Sequence, residues 1–226
     1  MDEVILIDKP DNITSFGVVA RVRRVLRDKN GGVKVKVGHT GTLDPFATGL
    51  LILLAGKATK RSNEFLKKDK EYVAEIFLGA TSTTGDPEGE ISKVSSRVPS
   101  FSEVSEACSK FVGEISQKVP AFSAVKINGE RAYKLARSGV DVETPVRKVS
   151  IYSLEILEYN YPILKIRAFV SSGTYIRTLG EDIGASLGVG GYLTSLRRTK
   201  IGDYSVDEAI KLEDFMSDGG SSNSVV

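Results

Sequence analysis

Gly38-His39-Thr40-Gly41-Thr42-Leu43-Asp44-Pro45-Phe46-Ala47-Thr48-Gly49 leads directly into the apolar run Leu50-Leu51-Ile52-Leu53-Leu54-Ala55, and then into Gly56-Lys57-Ala58-Thr59-Lys60. The first part holds the one histidine of the chain, three glycines and a carboxylate placed just before a proline. Pro45 restricts the backbone of Asp44 to extended values, and Gly41 and Gly49 let the loop approach a ligand closely. The apolar run behind it suits a buried element. Together these features read as an active-site loop on a rigid floor, which a surface linker does not need. Asp-Pro taken alone is also the ordinary mark of a turn with an Asx cap.

Upstream, residues 4–7 are a short apolar run suited to a strand, closed by Lys9-Pro10. Thr14 or Ser15 can cap a helix in which Val18, Val19, Val22, Val25 and Leu26 share a face, ended by Lys29-Asn30-Gly31-Gly32. Downstream, residues 72–78 alternate like a strand, and residues 79–89 form a polar turn region. Ser100 with Glu103 is a capping box for a helix that turns Val104, Ala107, Cys108 and Phe111 inward, which makes Cys108 a core residue. Residues 151–157 and 163–170 read as two strands joined around residues 160–162. Ile176, Leu179 and Ile183 then take helical spacing up to Gly188, and a short helical pattern runs over residues 206–215. This mixture without regular βαβ alternation predicts an α+β fold around a mixed or antiparallel central sheet flanked by helices and loops.

A chain of 226 residues with 41% hydrophobic and 27% charged residues is ordinary for a water-soluble globular protein. A single cysteine excludes an internal disulfide and fits a reducing compartment. No segment approaches the ~18 apolar residues of a membrane span, so the expected location is the cytoplasm. The net charge of +2 is small, but its distribution is uneven. Arg21, Arg23, Arg24, Arg27, Lys29, Lys34 and Lys36 crowd the segment before the loop, and Arg197, Arg198 and Lys200 form a second cluster. Such clusters either neutralise phosphates or are simply solvated basic faces. His39 with one cysteine and no second histidine cannot build a usual metal site. A phosphate loop over residues 49–57 fails on spacing and on Ala58 in place of a Ser or Thr, so no metal and no nucleotide cofactor is expected.

The loop resembles the signature of the TruB-type tRNA pseudouridine synthases, and the likeness continues through the chain. Leu6-Ile7-Asp8-Lys9-Pro10 with Thr14-Ser15 is similar to that family's N-terminal segment. Lys70-Glu71-Tyr72 is similar to its second motif, and Ser172-Gly173-Thr174-Tyr175-Ile176-Arg177-Thr178-Leu179 to its third. Val119-Pro120-Ala121-Phe122-Ser123-Ala124-Val125-Lys126, with Gly129, Tyr133, Ala136-Arg137 and Gly139, fits a further block. The resemblance implies the pseudouridine synthase fold over residues 1–216, then a flexible tail at 217–226 and no PUA RNA-binding domain.

It also implies isomerisation of a uridine in structured RNA, namely position 55 in the T-loop of tRNA, with the T-stem-loop as partner. Asp44 would be catalytic, by a covalent or a glycal-type route. Arg177 would pair with Asp44, Tyr175 would shape the pocket, and Tyr72 would stack on the uracil. His39 would contact the RNA near the flipped nucleotide, and Lys60 would help to hold the network. The spacing of Tyr175 and Arg177 would put both on one side if their segment is extended. A monomer is expected. A non-catalytic RNA-binding or chaperone module on the same fold, or a synthase acting on another RNA, are the alternatives.

Overall fold

The computed structural model describes residues 2–123, 125–127, 129–138 and 143–219. Ala124, Gly139 and residues 220–226 of the expected tail lie outside these. The chain begins with β1 (Glu3–Lys9), α1 (Ser15–Lys29), β2 (Val37–His39) and β3 (Thr48–Ala55). A 3-10 segment (Gly56–Arg61) and α2 (Ser62–Leu66) lead to β4 (Lys70–Leu78), β5 (Ala80–Ser82) and β6 (Ile91–Lys93). Next come α3 (Phe101–Ser109), β7 (Gly113–Lys118), β8 (Lys126–Ile127), β9 (Glu130–Arg131) and α4 (Ala132–Arg137). The chain continues through β10 (Val146–Asn160), β11 (Ile163–Val170), α5 (Ile176–Ser186), β12 (Gly191–Ile201) and β13 (Tyr204–Ser205). A 3-10 turn (Val206–Glu208), β14 (Ile210–Lys211) and α6 (Leu212–Ser217) close it.

Two compact units result: residues 2–73 with 196–219, and residues 74–195. In the first, the strand order is β14-β1-β3-β12-β4, with β2 added to β3 and β13 to β12. β1 runs antiparallel to β3, whereas β14 on β1 and β12 on β3 are parallel. Alternation along β1 and β3 feeds two separate cores. Ile5, Ile7, Leu51 and Leu53 pack with Val18, Val22 and Leu26 of α1 and Phe215 of α6. Val4, Leu6, Leu50, Ile52 and Leu54 pack on the other side with Phe65, Ile201 and Val206. Both faces are covered, so the strands read as continuous apolar runs. In the second unit β11, β10 and β7 are successive antiparallel neighbours.

The expected mixed sheet with flanking helices is what forms, and several local expectations hold with it. Thr14 caps α1 by accepting a hydrogen bond from the Gly17 amide, and Asn30 ends the helix. The Ser100–Glu103 capping box is present. Cys108 is buried, and its desolvation pushes the thiol up to about 11, consistent with a core residue. Other expectations are corrected. Residues 206–215 are not one helix: β14 interrupts them by pairing with β1. The polar region at 79–89 contains β5, which pairs with β6. The strand expected from residue 151 starts at Val146, because its first residues pair with β7.

Candidate active site

Asp44 opens a tight turn closed by a hydrogen bond from the Ala47 amide to the Asp44 carbonyl at 3.1 Å, with Pro45 second in the turn. The turn joins β2 to β3 and has almost no partner of its own in the sheet. Three buried side chains supply what the sheet does not. The Ser15 hydroxyl, from the first residue of α1, accepts from the Leu43 amide at 2.8 Å and donates to the Leu43 carbonyl at 2.9 Å. The Lys9 ammonium, fully buried at the end of β1, donates to the carbonyls of Pro10, Ile13 and, at 3.1 Å, Pro45. The Arg198 guanidinium donates to the carbonyls of Leu50 at 2.8 Å, Gly41 at 3.2 Å and Thr42 at 3.4 Å.

A buried cation costs several kcal/mol unless its protons are satisfied. Lys9 and Arg198 meet that condition by bonding carbonyls in and beside a loop that lacks ladder partners. The half-buried Asp44 therefore rides on a segment held from below by two cations and a hydroxyl. Gly49 completes the fit. It has φ +104°, and a Cβ there would stand 2.3 Å from the Arg198 carbonyl oxygen, so only glycine lets β3 lie this close to β12.

His39 ends β2, and its Nδ1 accepts from the Gly41 amide at 3.4 Å, which leaves Nε2 to carry the proton of a neutral ring. Tyr72 lies on β4 beside β12: the Gly202 amide donates to the Asp69 carbonyl, and the Thr199 hydroxyl donates to Glu71. Tyr72 is 9% exposed, on the inward face shared with Lys70 and Ala74. Burial, with Arg198 adding to it, lowers the Lys70 ammonium to about 8, and that group is spent on the carbonyls of Leu66 and Lys68. Lys60 departs from expectation. It is exposed in the 3-10 segment beyond the far end of β3, with ~25 Å of strand between it and the Asp44 turn.

Tyr175 and Arg177 belong to the second unit. Tyr175 is the last extended residue before α5, and Arg177 already sits in the helix, so the extended segment that would put both side chains on one side is not what forms. The backbone of Tyr175 is fixed by the buried Gln117 amide, which accepts from its N–H at 2.8 Å and donates to its carbonyl at 3.0 Å. Arg177 is 4% exposed and donates to the carbonyls of Thr84 at 2.8 Å and Phe122 at 2.7 Å. Its Nη1 also stands 3.3 Å from Oδ2 of the buried Asp86. Asp86 in turn accepts from the Thr84 hydroxyl at 2.6 Å and the Glu88 amide at 3.0 Å. One helical turn beyond Arg177, burial pushes the Glu181 carboxyl up to about 7, a rise that Arg177 moderates.

Lys9, Ser15, Asp86, Gln117 and Arg198 were not among the site residues expected from sequence. A lysine interrupting an apolar strand was a visible signal for Lys9. The cluster of Arg197, Arg198 and Lys200, read as either phosphate-neutralising or a solvated basic face, divides in the structure: Arg198 is buried, while Arg197 pairs with Asp8 at 2.8 Å and the exposed Lys200 lies 4.0 Å from Glu71. Among the described residues no group of three or more His, Cys, Asp or Glu side chains is placed to hold a metal, and no helix is long and apolar enough to cross a membrane.

The family described as "TruB family pseudouridylate synthase (N terminal domain)" matches residues 23–176, and "tRNA pseudouridylate synthase B C-terminal domain" matches residues 177–219. The "tRNA pseudouridine synthase B" of Phocaeicola vulgatus is 47% identical over 94% of this chain and 91% of its own length. The protein of the same name from Aquifex aeolicus is 46% identical over 96% of this chain and 74% of its own. A solved structure described as "Crystal Structure of a Cbf5-Nop10-Gar1 Complex" superposes with a TM-score of 0.72 at 32% identity. It covers 95% of this chain and 54% of that one, so this chain spans about half its length. The tethered Asp-Pro turn thus sits in a chain whose likeness to these relatives runs almost from end to end, and the chain belongs to the TruB family of pseudouridylate synthases.

Proposed function

We propose that this protein isomerises a uridine of tRNA to pseudouridine, at position 55 of the T-loop, as a cytoplasmic monomer whose catalytic body ends near residue 216. The observation that carries this reading is the Asp44 turn, fastened by Lys9, Ser15 and Arg198 in a chain of this family. A catalytic carboxylate gains most when it is held still before substrate arrives.

The target nucleotide is flipped from its stack, at a cost of a few kcal/mol. Stacking on Tyr72 offsets about 1–3 kcal/mol of that. The N1–C1′ bond breaks, the uracil turns, and C5 bonds to C1′. C5 then gives up its proton and N1 carries one, so the product is an isomer and no redox partner is needed. Asp44 assists the cleavage either by bonding to the sugar or by opening a glycal-type path. The Tyr72 hydroxyl is the candidate for handling the C5 proton. Within the second unit Arg177 is already fixed by three partners and the Tyr175 backbone by Gln117, and both are assigned to the site as substrate-supporting residues, while His39 meets the RNA beside the flipped nucleotide. Lys60 is left out of this assignment because of its place beyond β3.

The test is release of tritium from 5-tritiated uridine in a T-stem-loop RNA. Wild type is expected to release label, and Asp44→Ala to bind the RNA but release none within background. Binding without release by the wild type would leave an RNA-binding module instead.

A further inference from the structure

The first unit carries a second feature that the reaction does not use. Along α1, Arg23, Arg24 and Arg27 stand outward on the face opposite the buried Val18, Val22 and Leu26. Across from them Lys34 and Lys36 are exposed while Val35 between them is buried, and both lysines line the same groove. These two walls enclose a groove of ≈ 630 Å³ whose lining has five cations and no carboxylate. The neighbouring Asp28 is already held by Arg27 at 2.7 Å.

The groove lies away from the Asp44 turn. Ser15, which clasps that turn, begins α1, and Arg23 to Arg27 lie roughly 12–18 Å further along the helix. On the other wall, the Lys36 carbonyl accepts from the Gly56 amide at the far end of β3. The groove therefore lies toward the end of β3 remote from the Asp44 turn.

We propose that this groove is a phosphate-binding site for the RNA backbone remote from the flipped nucleotide, an anchor that a full-length tRNA reaches and an isolated stem-loop does not. It rests on the RNA-modifying reading above. Two rows of cations facing each other across an open groove suit one strand of a polyanion. The contact is with backbone phosphates, which carry no sequence information, so it should be independent of sequence. An acidic protein surface is the competing occupant.

The experiment uses Arg24→Gln/Lys34→Gln/Lys36→Gln, with Arg23 kept because its guanidinium donates to the Val37 carbonyl. Dissociation constants for full-length tRNA and for the T-stem-loop are measured across a salt series, alongside tritium release. Each lost phosphate contact should flatten the log–log salt slope by ~0.7–0.9. The expected result is a slope shallower by about 2 with full-length tRNA, with binding and turnover of the stem-loop unchanged. Arg24→Lys/Lys34→Arg/Lys36→Arg should restore the wild-type slope. An unchanged slope with full-length tRNA overturns the proposal and leaves the acidic protein partner. Equal flattening with the stem-loop overturns the remote placement. A wild type that releases no tritium but shows the slope difference would instead remove the catalytic reading and keep the groove.

Discussion

Asp44 is recognisable in the sequence, but what makes it useful is not. Its neighbours in the chain explain a turn; its neighbours in space explain why the turn keeps one shape. Lys9 and Arg198 are buried charges that donate to carbonyls, and Arg198 reaches those of Leu50, Thr42 and Gly41 only when segments 148 to 157 positions apart fold together. Glu181 offers a cleaner test of residue-scale electrostatics. Burial first, then the carboxylates of Asp182 and Asp86, raise it to about 7 from 4.5 against the pull of Arg177. A carboxyl raised in the folded state binds more protons there than in the unfolded chain between those values. Its contribution to stability is therefore complete below about pH 4.5 and lost as pH rises through 7. Glu181→Gln cannot ionise. Urea midpoints measured at pH 5 and pH 8 should show the wild type losing more stability than the variant over that interval. An identical change in both proteins would contradict the assigned environment.

At the scale of elements, legibility followed periodicity. β1, β3, α1 and α3 carry regular apolar spacing and recognisable caps, and each forms where its pattern indicates. β12 was not legible as a strand, because Arg197, Arg198 and Lys200 look like a solvated basic stretch while Arg198 in fact takes an inward position between Leu196 and Ile201. β7 has little apolar content, and only its pairing with β10 defines it. Asp86 hid in a turn-like Gly85-Asp86-Pro87, since sequence distance gives no hint of the arginine ninety-one residues later that it meets. The contact of β3 with β12 yields a prediction at this scale. Gly49→Ala adds a Cβ onto the Arg198 carbonyl and forces a side chain into φ +104°. About 3 kcal/mol of destabilisation is expected, at the upper end for a strained backbone position. Turnover should fall further than the fraction unfolded explains, because the tether to Gly41 and Thr42 shifts with β12. Ser100→Ala, which removes a helix cap on the second unit, should cost only ~1 kcal/mol and leave tritium release intact. Equal losses of turnover in the two variants, compared at matched folded fraction, would detach the β3–β12 contact from the chemistry.

For the whole molecule, the decisive point is that the first unit is assembled from both ends of the chain. Residues 2–73 supply the Asp44 turn, Lys9 and Ser15, while residues 196–219 supply Arg198, the β14 edge and α6. Leu212 and Phe215 of α6 are buried with Val18, Val19, Val22 and Leu26 of α1, the helix whose first residue clasps Leu43. Support for the turn therefore passes through a core that is incomplete until the last helix docks. A chain ending after residue 202 keeps Arg198 but loses α6. Removing a phenylalanine alone from such a site costs about 3–5 kcal/mol, which approaches the whole stability of a marginal unit. A chain ending after residue 219 retains every contact named here. The shorter chain should lose the cooperative thermal transition of the first unit and release no tritium, while the longer one should match the full chain in both. If the shorter chain still turned over stem-loop RNA, the docking of α6 would be dispensable, and the Asp44 turn would have to draw its rigidity from Lys9, Ser15 and Arg198 alone.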